Sequence, residues 1–348
     1  MTVRLNRARG SNLIAIPIDF KRISANLMTH QATIGIDISK AQFDAAHLDE
    51  KGRYRHKKFD NHPEGFAAFL AWVDSLDGAK PPVCMEATGA YSVPLAESLV
   101  GRGFRVSVVN PAKIHAFAKS ELSRAKTDKA DAKLIARYAS KMQPPPWNPP
   151  PRNIRELQAM LRRVVDLLEM QQMERNRLDT ADPVVVGAIK THLEALEKEL
   201  DSTRDAIRSH INLDPALKPR RDLLESTPGI GPATSAWLLV VLSEHYHFTD
   251  AKQAVAHVGL APRLRQSGKW AGKTRLSKSG DPLVRKALYM PSMSARRHNP
   301  IIRAFCERLK ANGKHGMAIN CAAMRKMIHI AFAILKSGKP FNSNLVLA

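Results

Sequence analysis

A mixed α/β domain followed by a mainly helical region is the fold class this 348-residue sequence predicts, and three observations carry the expectation. Short apolar runs with strand character alternate with helix-period stretches over residues 31–143, the pattern of elements that share one sheet. A proline run, PPPWNPPP at 144–151, breaks that pattern, because it cannot propagate a helix and favours an extended, semi-rigid spacer. Beyond it, apolar residues recur at helical spacing.

Residues 33–39, 42–48 and 54–59 read as three consecutive strands, with KGR at 51–53 as a turn. An amphipathic helix follows near 63–76, its apolar side formed by Phe66, Phe69, Leu70 and Val73. A strand at 82–86, a helix at about 91–101, a strand at 104–109 and helices from 111 to 140 complete the domain. Three antiparallel strands followed by alternating helix and strand is the ribonuclease-H layout, in which the first strand, the fourth strand and a late helix meet at one edge.

Four carboxylates occupy those places: Asp37 in TIGIDIS, Glu86 in VCMEATG, and Asp128 and Asp131 in KTDKADA. Asp37 and Glu86 end apolar strands, and the aspartates, three apart, share one helical face. An acid buried at a strand end is costly unless a cation compensates it, so several converging acids predict a hard divalent ion, read as Mg2+ serving phosphate chemistry. Taken singly, each is an ordinary surface acid; their joint order carries the expectation.

In the helical region Ile154, Leu157, Leu161, Val164, Leu168 and Leu178 follow a seven-residue pattern interrupted by Gln171 and Arg175. After the ADP break at 181–183, Ile189, Leu193, Leu196, Leu200, Thr203 and Ile207 repeat it. The pair predicts an antiparallel hairpin or a dimerising coiled coil, with packing on the chain's own core as the alternative. Then Pro228-Gly229-Ile230-Gly231 joins two helical stretches. Gly229 and Gly231 either present backbone N–H groups to a phosphate or simply connect two buried helices, and Trp237 with the LLVVL run reads as core.

The stretch 258–288 holds eight cations, Arg263, Arg265, Lys269, Lys273, Arg275, Lys278, Arg285 and Lys286, against one acid, Asp281. Glycines at 268, 272 and 280 make it a pliable loop that can approach a ligand closely. Ser267 within it is a candidate phosphoryl nucleophile, because neighbouring cations stabilise charge on a transferred phosphate. Ser277, Ser279, Ser292 and Ser294 remain alternatives on this logic.

Charge is uneven along the chain. From Lys218 onward, 22 Lys and Arg face 6 Asp and Glu, +16 of the total +22, which marks a nucleic-acid surface. Cys84, Cys306 and Cys321 are too scattered for a disulfide framework or zinc knuckle, which predicts a reduced, cytoplasmic protein. The thirteen histidines lack ligand spacing. Asp19, Lys21 and Arg22 interrupt the early apolar stretch, so neither signal peptide nor membrane partner is expected; residues 1–30 read as a disordered leader, with Met1 and Met28 as alternative starts.

The segments IGIDISKAQFD, EATGAY, VVNPAKIHAFAKSE, KTDKADAKLIA, LLESTPGIGPATSAWLL, HVGLAPRLRQSGKWAGKTRLSKSGDPLVRKALYM and AAMRKMIHIAFAILKSGKPF together resemble the DEDD-type insertion-sequence transposases, more specifically the bridge-RNA-guided serine recombinases of that class. The resemblance runs from about residue 31 to the C-terminus, and Lys269, Trp270 and Ala271 depart from its small polar residues. It implies a RuvC-like domain over 31–143, a linker at 144–151, a helical hairpin or coiled coil over 152–215 and a C-terminal transposase domain over 216–348. It places an acidic tetrad on Asp37, Glu86, Asp128 and Asp131 and the nucleophile on Ser267. Donor and target double-stranded DNA, a guide (bridge) non-coding RNA and a homo-oligomer, dimer or tetramer, follow as partners, at the bacterial nucleoid. A RuvC-like endonuclease or Holliday-junction resolvase, which needs the tetrad but no serine, is the alternative function.

Overall fold

The computed structural model describes residues 31–76, 80–121, 127–263, 266–267, 270–272 and 274–343; the leader expected to be disordered lies outside the described residues. The chain divides between Trp147 and Asn148 into two compact units.

The first unit is built on a five-stranded sheet of order β3-β2-β1-β4-β5. Its strands are β1 (Thr33–Ile38), β2 (Gln42–Leu48), β3 (Tyr54–Asp60), β4 (Val83–Glu86) and β5 (Val106–Val109). β1, β2 and β3 pair antiparallel, whereas β4 runs parallel to both β1 and β5. Local chemistry sets the turns. The Ser39 amide and hydroxyl both donate to the Gln42 carbonyl, at 2.9 and 2.7 Å, closing β1 onto β2. The Asp49 carboxylate accepts the amides of Lys51 and Arg53, closing the KGR turn around Gly52, whose φ of +78° suits glycine. β4 starts one residue later than expected, because Pro82 has no amide to give the ladder. β5 starts two residues later, because the Phe104 amide instead closes the preceding helix on the Leu99 carbonyl.

Helices cover both faces. α1 (Pro63–Asp74) and α2 (Val93–Gly101) pack with Ile34, Ile36, Ile38, Phe43 and Phe59 in one core. α3 (Pro111–Ser120) and α4 (Asp128–Met142) close the other face around Cys84, Val109, Ile135 and Tyr138. The proline run is extended, and it is fastened by hydrogen bonds at several points. The Ser107 hydroxyl donates to the Pro144 and Pro145 carbonyls, the Trp147 amide donates to the Val106 carbonyl at 2.7 Å, and the Asn148 side chain donates to the His245 carbonyl. Prolines cannot donate, so their free carbonyls and the intervening Trp and Asn take up the bonds.

In the second unit α5 (Arg152–Leu178) and α6 (Pro183–Leu213) form an antiparallel hairpin, with Asn153 bonded to Asp214 and Arg163 to Glu199. The buried stripe departs from the expected heptad, because a straight helix drifts from a seven-residue repeat: Leu167 is buried and Leu168 exposed, Arg175 faces solvent, and Gln171 and Glu174 lie inside, only 3% and 8% exposed. Their polarity is accommodated, since Glu174 accepts from Arg177 at 2.6 Å and meets His192 at 3.3 Å. Ile154, Leu157, Leu161, Ile207 and Ile211 at the proximal end share one core with α7 (Leu217–Glu225), α8 (Pro232–Val241), α9 (Ala251–Val258), α10 (Pro282–His298), α11 (Pro300–Ala311) and α12 (Gly316–Ser337). Trp237 lies in that core. α12 is long and apolar enough to cross a membrane, but half of that stretch is buried in the unit.

Between α9 and α10 the described residues of the basic segment carry local pairing. They form two short antiparallel ladders, β6 (Pro262–Arg263) with β9 (Arg275–Leu276) and β7 (Gln266–Ser267) with β8 (Trp270–Ala271). Gly280 is held by packing: a Cβ there would fall 2.0 Å from the His257 carbonyl oxygen.

Candidate active site

Side chains alternate along β1, so Thr33, Gly35 and Asp37 face α4 while Ile34, Ile36 and Ile38 enter the opposite core. Gly35 is what lets the helix lie on the strand. A Cβ there would sit 2.1 Å from the Ala136 nitrogen and 2.3 Å from the Ala132 oxygen, backbone atoms that cannot swing aside. The Thr33 hydroxyl adds a hydrogen bond to the Ala136 carbonyl at 2.9 Å. Asp128, Asp131, Ala132 and Ala136 fall at offsets of three, four and eight, one stripe of α4. The stripe that seats on Gly35 therefore turns both aspartates toward Asp37. They occupy the first turn, capped by Thr127, where the helix dipole favours negative charge.

Glu86 arrives by register. β1 and β4 align Gly35 with Cys84 and Ile36 with Met85, so one further step brings Glu86 beside Asp37 on the same face. Asp44 is the residue that sequence reasoning missed. It is the direct cross-strand partner of Asp37, only 4% exposed, and it meets His56 Nε2 at 2.6 Å and Lys58 Nζ at 3.4 Å. The signal was available, because closing a hairpin through Ser39 and Gln42 forces 37 opposite 44. His115 on α3 also acts here, offsetting negative charge at Glu86.

The electrostatics record the convergence. Burial, and then Asp131, Asp128, Glu86 and Asp44, push the Asp37 pKa up to about 6. Glu86 is raised by burial and by Asp131. Among the described residues no three His, Cys, Asp or Glu side chains stand at ligand spacing around one point, so the acids share a field without forming a closed cage. The donor set nonetheless fits a hard divalent cation: every contributor is a carboxylate, the oxygen ligand such ions take, and a cation would relieve the repulsion that holds the Asp37 pKa up. The Thr88 hydroxyl oxygen, two residues beyond Glu86, is buried with no hydrogen-bond partner among the described residues.

Ser267 lies in the second unit, exposed on β7 and paired with Trp270 across the ladder. Arg263 and Arg275 stand opposite one another on β6 and β9, a like-charge cross-strand pair that is unfavourable without an anion. Lys278 is held with φ +54°, its amide bonded to the Gly259 carbonyl. Gly229, at φ +96°, abuts Ala295, where a Cβ would fall 2.6 Å from that residue's Cβ, so its missing side chain serves a helix contact. Gly231 starts α8 with open space around its Cα. Arg265, Lys269 and Lys273 lie outside the described residues.

The chain thus joins an α/β unit whose sheet face gathers carboxylates to a basic helical unit. A transposase profile of the DEDD IS110 type matches residues 34–181, and one described as Transposase IS116/IS110/IS902 family matches residues 221–307. The Pilin gene-inverting protein of Moraxella lacunata is 34% identical over 90% of this chain and 98% of its own length, and that of Moraxella bovis is similar to the same degree. The transposase for insertion sequence element IS1111A of Coxiella burnetii is 23% identical over 76% of this chain and 78% of its own length. The chain belongs to the IS110/IS116 family of DEDD transposases. A transposase of this type binds DNA, and its acidic residues generally work with a divalent metal.

Proposed function

We propose that this transposase is an RNA-guided DNA recombinase, in which Asp37, Glu86, Asp128 and Asp131 of a RuvC-like, ribonuclease-H-type first unit hold Mg2+ and Ser267 of the second unit is the nucleophile. The observation that carries the reading is the seating of α4 on Gly35, which directs Asp128 and Asp131 toward Asp37 while β4 brings Glu86 alongside. Bound there, Mg2+ supplies Lewis-acid polarisation of a phosphate and stabilises charge on its oxygens. The Ser267 hydroxyl oxygen forms a bond to phosphorus as one phosphorus–sugar oxygen bond breaks. Its proton leaves to a base, and the displaced sugar oxygen takes up a proton. Attack by a sugar hydroxyl of the exchanged strand reverses these bonds and frees the serine, so no net hydrolysis occurs. Arg263, Arg275 and Lys278 stabilise the phosphate charge. A guide RNA pairs with donor and target DNA and so carries the sequence information, leaving backbone and shape to the protein.

A relative named for gene inversion favours recombination over a metal-dependent nuclease or Holliday-junction resolvase, since inversion requires rejoining. The test is Ser267→Ala on a supercoiled plasmid substrate carrying donor and target sites, with the guide RNA supplied. The variant should lose covalent protein–DNA adducts and recombinants, while DNA binding stays within about twofold, because only one hydroxyl is removed. Adducts that persist would assign the chemistry to another residue, and free nicked DNA from the wild type would assign it to water.

A further inference from the structure

We propose that the first unit holds the sugar–phosphate backbone of a nucleic-acid strand along a basic ledge between β3 and α4. The inference rests on the reading that the neighbouring acids act on phosphodiesters. Cross-strand register places Tyr54, His56 and Lys58 of β3 opposite Leu48, Ala46 and Asp44, hence on the sheet face that carries Asp37 and α4. On α4, Lys129, Lys133 and Arg137 follow one another at four-residue spacing, one stripe round from Asp128 and Asp131. The two rows meet. Lys133 Nζ lies 5.4 Å from the centre of the Tyr54 ring, and Arg137 Nε donates to the Tyr54 hydroxyl at 3.2 Å. Where the ledge adjoins the cluster, Lys58 reaches Asp44, the cross-strand partner of Asp37.

Pairing with Asp44 accounts for His56 and Lys58 of β3, but stability does not account for the cations of α4. Like charges four residues apart weaken a helix, and a lysine in the first turn opposes the helix dipole. β3 is an edge strand, and cations there guard against edge-to-edge pairing, but that reason does not extend to α4, which is not an edge. Arg137 is balanced by Glu121 at 3.0 Å; Lys129 and Lys133 have no acidic partner among the described residues. Successive α4 cations stand ~6 Å apart along the axis. That is of the same order as the separation of neighbouring phosphates along one strand, so each cation is placed to meet one phosphate. α4 thereby turns its acids to one side and its cations to the other, and a strand lying on the cations leads past the acids.

The test uses the full-length protein and fluorescent single-stranded DNA and RNA of equal length, titrated between about 50 and 200 mM salt in EDTA. Lys129→Gln with Lys133→Gln leaves the Lys58–Asp44 pair intact; a triple variant adds Lys58→Gln. At about 0.7 per contact, the log–log salt slope should become shallower by about 1.4 in the double and about 2 in the triple variant. The strand type that loses slope identifies whether DNA or RNA lies on the ledge. Unchanged slopes with both strands overturn the proposal. Asp37→Asn, measured in parallel, keeps the two readings apart: cleavage by that variant would overturn the role of the acids, while the slopes still judge the ledge.

Discussion

Asp37 holds its proton to about pH 6, because burial and four neighbouring carboxylates all disfavour its ionised form. Its folded-state pKa lies above the ordinary 3.8, so the folded chain binds this proton more tightly than the unfolded chain does. The stability this group contributes is full below pH 3.8 and is lost as pH rises toward 6. Asp37→Asn removes that loss. In EDTA the variant should unfold at higher temperature than wild type at pH 7, by on the order of 1 kcal/mol once solvent screening is allowed for. The two should converge near pH 4. Equal melting curves across that whole range would mean the acids do not share a field. Asp44 deepens the point, since this fifth carboxylate beside Asp37 is balanced by His56 and Lys58.

The junction of α4 with β1 is a contact between backbones. Gly35→Ala inserts a methyl group within about 2 Å of Ala136 and Ala132, as the 2.1 and 2.3 Å distances require, so helix or strand must move. Overpacking of this kind costs ~1–3 kcal/mol or more. The variant should melt several degrees lower and lose metal-dependent cleavage, even though no acid has been touched. A variant of wild-type stability and activity would show that α4 does not seat on Gly35. The existence of α4 and the shared face of its aspartates were legible, because Thr127, Asp128 and the apolar spacing mark a capped amphipathic helix. Its docking was not, because a glycine in an apolar strand looks the same whether it meets a helix or open space. Gly280 shows the same limit: composition reports freedom, while packing against the His257 carbonyl holds this glycine in place.

In the whole molecule the proposed chemistry is divided, the acids in the first unit and Ser267 in the second, separated in sequence by two long helices. We expect the working site to be composite, built from the acids of one subunit and the serine of another within an oligomer of at least two chains. Mixing Asp37→Asn with Ser267→Ala protein should then restore strand cleavage that neither shows alone. Differentially tagged mixed oligomers that remain inactive would show that each chain uses its own serine.

Period and order were enough to read the α/β-then-helical plan, the five strands and the basic C-terminal block, because hydrophobic repeat and charge are local properties of the chain. The opposition of Asp44 to Asp37, the seat at Gly35, the packing of Gly229 on Ala295 and the meeting of Lys133 with Tyr54 join residues distant in sequence. Such contacts depend on strand register and on which helix face docks, and those are settled by the packing of the whole sheet and its helices.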